Sequence, residues 1–388
     1  MANTLTSLAA DIYKAADMVG RELVGFIPAV TVNADASLRA AKGDYVRSHF
    51  TRTPSVSSSY APAMTIPEGT DQTVDNKTLT VDTYAGVQIP WTGEDIKHVN
   101  NGNGFETIYG DQIRQAMRAI VNTIEAAVWS AAYVASSRAY GTAGTTPFAS
   151  NFNDIAQVRK ILVDNGCPVN DGMVSLVMNS AAGANLRSLA QLQKANEAGG
   201  TELLRQGVLL DLQGMMIRES AGISSHTKGA GTGYDINNGS GEAIGQTSLT
   251  VHGGTVNTTG IKAGDVITLA GDANKYIVAT TTTAVDGELV INEPGLRIAG
   301  ADTVEITVGD SYTPNLAFHK SAIELVVRPP ALPMGGDAAA DMMTVQDPWS
   351  GLVFDVAMYR GYMKSMFEIR CLYGVKAWKP AHIATLLG

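Results

Sequence analysis

The chain has 388 residues, too many for one ordinary core, so two or three domains are expected. Hydrophobic residues make up 45% and charged residues 17%, which excludes a disordered chain, while a formal net charge of −9 without any Lys/Arg cluster excludes a protein that grips phosphate backbones. Two cysteines, Cys167 and Cys371, make neither a disulfide framework nor a zinc site.

At the start, residues 4–19 read as a short amphipathic helix with Leu5, Leu8, Ile12, Tyr13, Ala16 and Val19 on one face. Asp11, Lys14 and Asp17 break the signal-peptide pattern, and nowhere do about 18 uncharged apolar residues run together, so neither secretion by that route nor a membrane span is expected. An aperiodic arm follows to about residue 42. Val46 to Phe50 and Leu79 to Ile89 are β-prone, and between them lies a long Ser/Thr/Pro/Gly-rich stretch that cannot bury a core of its own. It reads as a two-stranded flap resting on something else, most naturally a neighbouring copy. The flap's charges, Asp71, Asp75, Lys77 and Asp82, are most simply a solvated face; the sharper reading has them meeting an adjoining subunit.

A single long helix is expected from about Phe105 to Arg138. Ile113, Met117, Ile120, Val121, Ile124, Val128 and Ala131 keep one buried stripe, and Glu106, Asp111 and Arg138 suit the helix dipole. At about 1.5 Å per residue it would span roughly 50 Å. Residues 151–220 alternate helix and strand: a helix through Leu162 capped by Asn153 or Asp154, a buried strand at Met173–Asn179, a helix opening with Ser180, and a strand pair around Gly214. Five short strands with recurrent turns then predict a small β-barrel or sandwich over about 224–310, inserted because helix-and-strand character resumes after it. The glycine-rich segment 228–246 reads as a flexible loop reaching a neighbour, with Asp235 and Glu242 seeking basic partners. The tail is again β-rich, with Leu352, Phe354, Val356 and Met358 alternating.

Chemistry-bearing motifs are missing. No G-x-S-x-G, phosphate loop, H-E-x-x-H or C-x-x-C occurs, and the six histidines are scattered. Gly229, Gly231 and Gly233 lack the strand and helix of a dinucleotide loop, and Asp235, Asn237, Gly239 and Glu242 sit at the wrong offsets for a calcium loop. No catalytic residue, cofactor or metal is expected, and the chain is not read as an enzyme.

Several patches carry a resemblance. "NLAFHKSAIELVVRP" (Asn315–Pro329) looks like a strand and helix returning into an axial domain. "CLYGVKAWKPAHIATL" (Cys371–Leu386) resembles the C-terminal strand of short-tailed-phage coat proteins. "KAGDVITLAG" (Lys262–Gly271) and "VDGELVINEPGL" (Val285–Leu296) resemble the insertion domain of one branch of that family. With the arm, flap and long helix, the chain resembles the α+β capsid fold of tailed phages and herpesviruses, the Hong Kong 97 type.

That resemblance implies an N-terminal arm at 1–42, an extended loop at 43–92, and a peripheral domain at 93–149 holding the spine helix 105–138. An axial domain split as 150–223 and 311–350 would flank the 224–310 insertion, and 351–388 would return as C-terminal strands. It implies the major capsid protein of a tailed double-stranded DNA bacteriophage, assembling as pentamers and hexamers into an icosahedral shell that encloses DNA without sequence-specific binding. Lacking a coiled N-terminal extension, it would need a separate scaffolding protein, with a portal protein at one vertex and a decoration protein as a further partner. Assembly would occur in the host bacterial cytoplasm. Lys77 in the loop would be a candidate isopeptide crosslinker, as in some relatives, with no other residue supporting that role. The alternatives are a β-rich decoration or tail protein, which should not need the long helix, and an enzyme with an unrecognised site.

Overall fold

The structure is a computed structural model that describes residues 24–51, 56, 62, 64–66, 74–100, 105–193, 211–255, 259–346 and 350–388. The expected helix at 4–19 and Asp71 lie outside the described residues. The strands in chain order are β1 (Thr31–Ala34), β2 (Asp44–Thr51), β3 (Val74–Val81), β4 (Thr83–Thr92), β5 (Arg138–Tyr140), β6 (Val174–Met178), β7 (Met216–Glu219), β8 (Tyr234–Ile236), β9 (Ser248–His252) and β10 (Val266–Leu269). They continue with β11 (Lys275–Ile277), β12 (Gly287–Val290), β13 (Glu305–Val308), β14 (Pro314–His319), β15 (Ile323–Arg328), β16 (Asp341–Gln346), β17 (Val353–Gly361), β18 (Lys364–Ala377) and β19 (Ile383–Leu387).

The long helix, Phe105–Val134, buries Ile113, Met117, Ile120, Val121, Ile124 and Val128 as its period requires. It stops short of Arg138. Ser137 donates both its N–H and its hydroxyl to Ile383 O, at 3.0 and 2.7 Å, and this draws the chain into β5 between β19 and β11. The helix packs on a peripheral sheet built around β18, whose one flank carries β4 along Lys364–Tyr373 and whose other carries β17 and then β15. Strand alternation sorts β18 into two faces. Phe367, Ile369, Cys371, Tyr373, Val375 and Ala377 join the core under the helix, while Glu368, Arg370, Leu372, Gly374 and Lys376 point the other way.

A second sheet, β5-β19-β14-β6-β7, is covered by the helices Asn153–Asp164 and Ser180–Ser188, with Ile155, Val158, Leu162, Leu176, Met178, Leu186 and Leu386 between them. Asp154 does not cap its own helix; its Oδ2 accepts Phe148 N at 2.8 Å. The expected helix after Lys320 is instead one 3-10 turn (Lys320–Ala322) and then β15, because the β-branched run at 323–328 prefers a pleated surface. That strand belongs to the peripheral sheet.

Strands β12-β9-β8-β13-β10-β11 form a barrel over a core of Tyr234, Ile236, Leu249, Val251, Ile267, Leu289 and Ile306, closed by a bridge between Val278 and Ile291. Through β11 pairing with β5, barrel and second sheet share one ladder. The segment 228–246, expected to be a flexible reach, contributes β8 to this barrel. Gly231 N bonds Gly260 O at 2.8 Å, an approach that leaves no room for a side chain.

The arm is also corrected in part. Phe26, Ile27 and Val30 are buried, β1 runs parallel beside β15, and Ala40 bridges Pro330, so residues 24–40 are held on the chain's own body. Likewise residues 83–92 of the expected loop are β4, a full member of the peripheral sheet.

Candidate functional site

What remains of the flap is the hairpin β2–β3, paired from Asp44↔Val81 to Thr51↔Val74. Among the described residues no third strand joins it, so both its edges are unpaired, and a lone two-stranded hairpin is marginal in water. Only its base is seated. Leu79 and Val81 are buried against Val326 and Leu372 on the outward face of β18. Gly374 makes this possible: a Cβ there would strike Thr80 O. Lys376 Nζ donates to Thr78 O at 2.7 Å and Lys77 Nζ to Trp378 O at 3.0 Å.

Beyond this seat the described side chains face solvent, and several are apolar: Val56, Met64, Ile66 and Val74 are all more than half exposed. Val56 and Ile66 are more than 90% exposed, a state a monomer gains nothing from.

Below the hairpin's roots lies a charge network on the same face of β18. Arg370 bonds Asp355 Oδ2 at 3.2 Å, Glu368 Oε2 at 3.2 Å and Asp337 Oδ2 at 3.0 Å. Arg39 reaches the other oxygen of Asp355 at 3.1 Å, and Tyr84 OH donates to Glu368 Oε1 at 2.6 Å. Hydrogen bonds from Tyr359 and Arg370 hold the Asp337 carboxyl below its usual range, and burial raises the Tyr84 hydroxyl. The alternation of Glu368 and Arg370 with apolar Phe367, Ile369 and Cys371 is the sequence signal for this face.

The five candidate residues that are described separate from one another. Lys77 sits on the hairpin seat. Asp82, exposed between β3 and β4, accepts Thr83 Oγ1 at 2.8 Å, and Asp75 lies opposite Phe50 in the hairpin register. Asp235 lies on β8, between His252 and Glu305 in register, far along the chain from the hairpin. Glu242 is turned inward: it is buried and accepts Thr250 N at 3.0 Å, so it is spent inside the barrel.

The nearest thing to a hydrolytic relay is Ser321–His319–Asp171. Ser321 Oγ and Asp171 Oδ2 lie 2.8 and 2.7 Å from the two ring nitrogens of His319. The same Nδ1 also accepts Ser321's own N–H at 3.1 Å, so the ring caps the 3-10 turn. Burial pushes the Cys167 and Cys371 thiols up to about 11 and about 12, which keeps them unreactive. Among the described residues no three His, Cys, Asp or Glu side chains gather as a metal site would require, and no helix is long and apolar enough to cross a membrane.

No protein-family profile matches the sequence, and no curated protein does. Similar solved structures are found. The capsid of cyanophage P-SCSP1u is 12% identical over 92% of this chain and 86% of that one, with a TM-score of 0.47. The Mycobacterium phage Che8 structure is 15% identical over 89% and 85%, with a TM-score of 0.45. A virus-like particle from Pyrococcus furiosus is 10% identical over 98% and 97%, with a TM-score of 0.41.

Proposed function

We propose that the chain is a shell-building subunit, the major capsid protein of a tailed double-stranded DNA bacteriophage. The observation that carries this is the hairpin: anchored at its base on β18, unpaired along both edges, and apolar where it leaves the body. Such an element is completed by another copy, and weak contacts repeated around a closed lattice sum to a stable shell. Self-association into pentamers and hexamers gives the icosahedral container, enclosing DNA by confinement, since the net charge of −9 offers no general grip on phosphates.

In this reading Asp71, Asp75 and Asp82 serve as contact residues toward a neighbour, Asp235 offers a carboxylate on the barrel, and Lys77 anchors the hairpin it stands on. A separate scaffolding protein, a portal protein at one vertex and a decoration protein complete the virion, which forms in the host bacterial cytoplasm. No catalytic step is assigned to the chain. Negative-stain electron microscopy of the purified protein is the test: closed shells or rings of five and six subunits are expected. Spikes would favour a decoration or tail protein, and small monodisperse particles would sink the proposal.

A further inference from the structure

The hairpin is fastened to the body at two roots, and both lead to one group of atoms. Arg39 stands just before β2 and bonds Asp355; Tyr84 stands just after β3 and bonds Glu368. Among the described residues Arg370 alone joins these two carboxylates, through its Nε and Nη1 atoms. Asp355 has no exposed side-chain surface and the Glu368 and Arg370 side chains are 8% and 12% exposed, so the centre of the joint is buried while its Arg39 and Tyr84 ends reach the surface.

We propose that this Arg370-centred network is an elbow that fixes the direction in which the hairpin leaves the subunit. A buried charge network adds little net stability, but it tolerates only one geometry, because any displaced member leaves a charge unpaired. Swinging the hairpin as a rigid body must break the Arg39 side or the Tyr84 side, besides shifting Leu79 and Val81 on their seat. Arg39 is doubly held, its Nη1 also donating to Pro330 O at 2.8 Å. Tyr84 is the weaker root: it is 48% exposed and its hydroxyl holds on by one 2.6 Å bond. Its ring lies where a Cβ on Gly86 would be, so Gly86 is the residue that lets Tyr84 reach Glu368. The elbow therefore yields first at Tyr84, which leaves the hairpin held by its Arg39 root and by the Leu79 and Val81 seat, over a wider range of angles.

This rests on the assembly reading for its purpose but not for its test. Spin labels on Asn76→Cys, in the hairpin, and Glu94→Cys, on the body, report the hairpin angle in the full chain when labelled protein is diluted into unlabelled protein. The parent should give one narrow distance distribution. Tyr84→Phe removes only the hydroxyl, and Gly86→Ala displaces the ring without altering a charge; each should broaden the distribution about twofold, as a freed hinge does. Electron microscopy of the same variants should show closed particles giving way to open or irregular ones. Unchanged widths in both variants overturn the elbow, whatever the particles look like. If the parent forms no particles while the widths behave as expected, the elbow stands and the shell reading falls. Should Gly86→Ala fail to fold, Tyr84→Phe decides.

Discussion

Glu125 shows how one buried side chain can decide where a terminal segment goes. It sits mid-way along the long helix, 2% exposed. Its carboxylate accepts the N–H groups of Gly25, Phe26 and Ile27 at 2.7, 2.8 and 3.0 Å and the Ser220 hydroxyl at 2.7 Å. Burial raises its pKa and these donors oppose the rise. Glu125→Gln keeps one acceptor oxygen and turns an amide toward Ile27 N–H, which should lower stability by about 1–3 kcal/mol; Glu125→Ala strands all four donors and should lower it further. Denaturant titration checks this, and equal midpoints for parent and alanine variant would remove the clamp. His382 makes a second case. Burial first, then the charges of Lys379 and His319, hold its pKa below 6.5, and among the described residues its Nδ1 has no hydrogen-bond partner. The folded chain then takes up this proton less readily than the unfolded chain. Stability is retained above pH 6.5 and falls as pH drops through that value. His382→Leu should flatten that part of the melting-temperature profile; an unaltered slope would acquit His382.

Elements here often finish one another. The long helix ends at Val134, and the barrel supplies its cap: Asn292 Nδ2 donates to Val134 O and Ser136 O at 2.7 and 2.8 Å. Asn292→Ala should free those carbonyls at a loss of about 1–2 kcal/mol and speed hydrogen exchange across residues 130–137. Exchange confined to the barrel would show instead that the two are uncoupled. The same interdependence explains what the sequence disclosed. The helix was legible because Ile113 to Val128 keep an uninterrupted stripe, and β9 to β13 were legible from β-rich runs between turn glycines. The three-residue β8 was hidden in a glycine-rich run, since its partners β9 and β13 lie farther along the chain. Residues 24–40 read as a free arm because β15 and Glu125 are far away in sequence. The charge network shows in the sequence only as the alternation of Glu368 and Arg370 among apolar residues, because its other members, Arg39 and Tyr84, join them from far along the chain. Consequently, deleting 228–246 removes a barrel strand, and the barrel should unfold rather than merely lose a contact.

At the scale of the whole molecule, the body and the hairpin have opposite needs. The body buries its helix stripe, both sheets and the barrel in cores of its own, so its stability does not call for a partner. Among the described residues the hairpin is satisfied only over Lys77–Val81, where Leu79, Val81 and the two lysine bonds hold it to the body; outward of that seat it presents strand edges and exposed Val56, Met64, Ile66 and Val74 to water. Folding and association are therefore separable by a single cut. Replacing residues 52–73 with a two-residue Asn-Gly turn closes β2 onto β3 while keeping the paired register and the whole seat. The shortened chain should fold with its helical signal intact and a melting temperature within about 5 °C of the parent, since the described residues it removes are all exposed. It should also stay as small soluble species, with closed particles reduced about tenfold or more, because each lattice contact that the hairpin tip supplies is multiplied over every copy. Light scattering and electron microscopy on matched concentrations distinguish the outcomes. Shells of normal yield from the shortened chain would mean that the exposed hairpin is not what joins the copies.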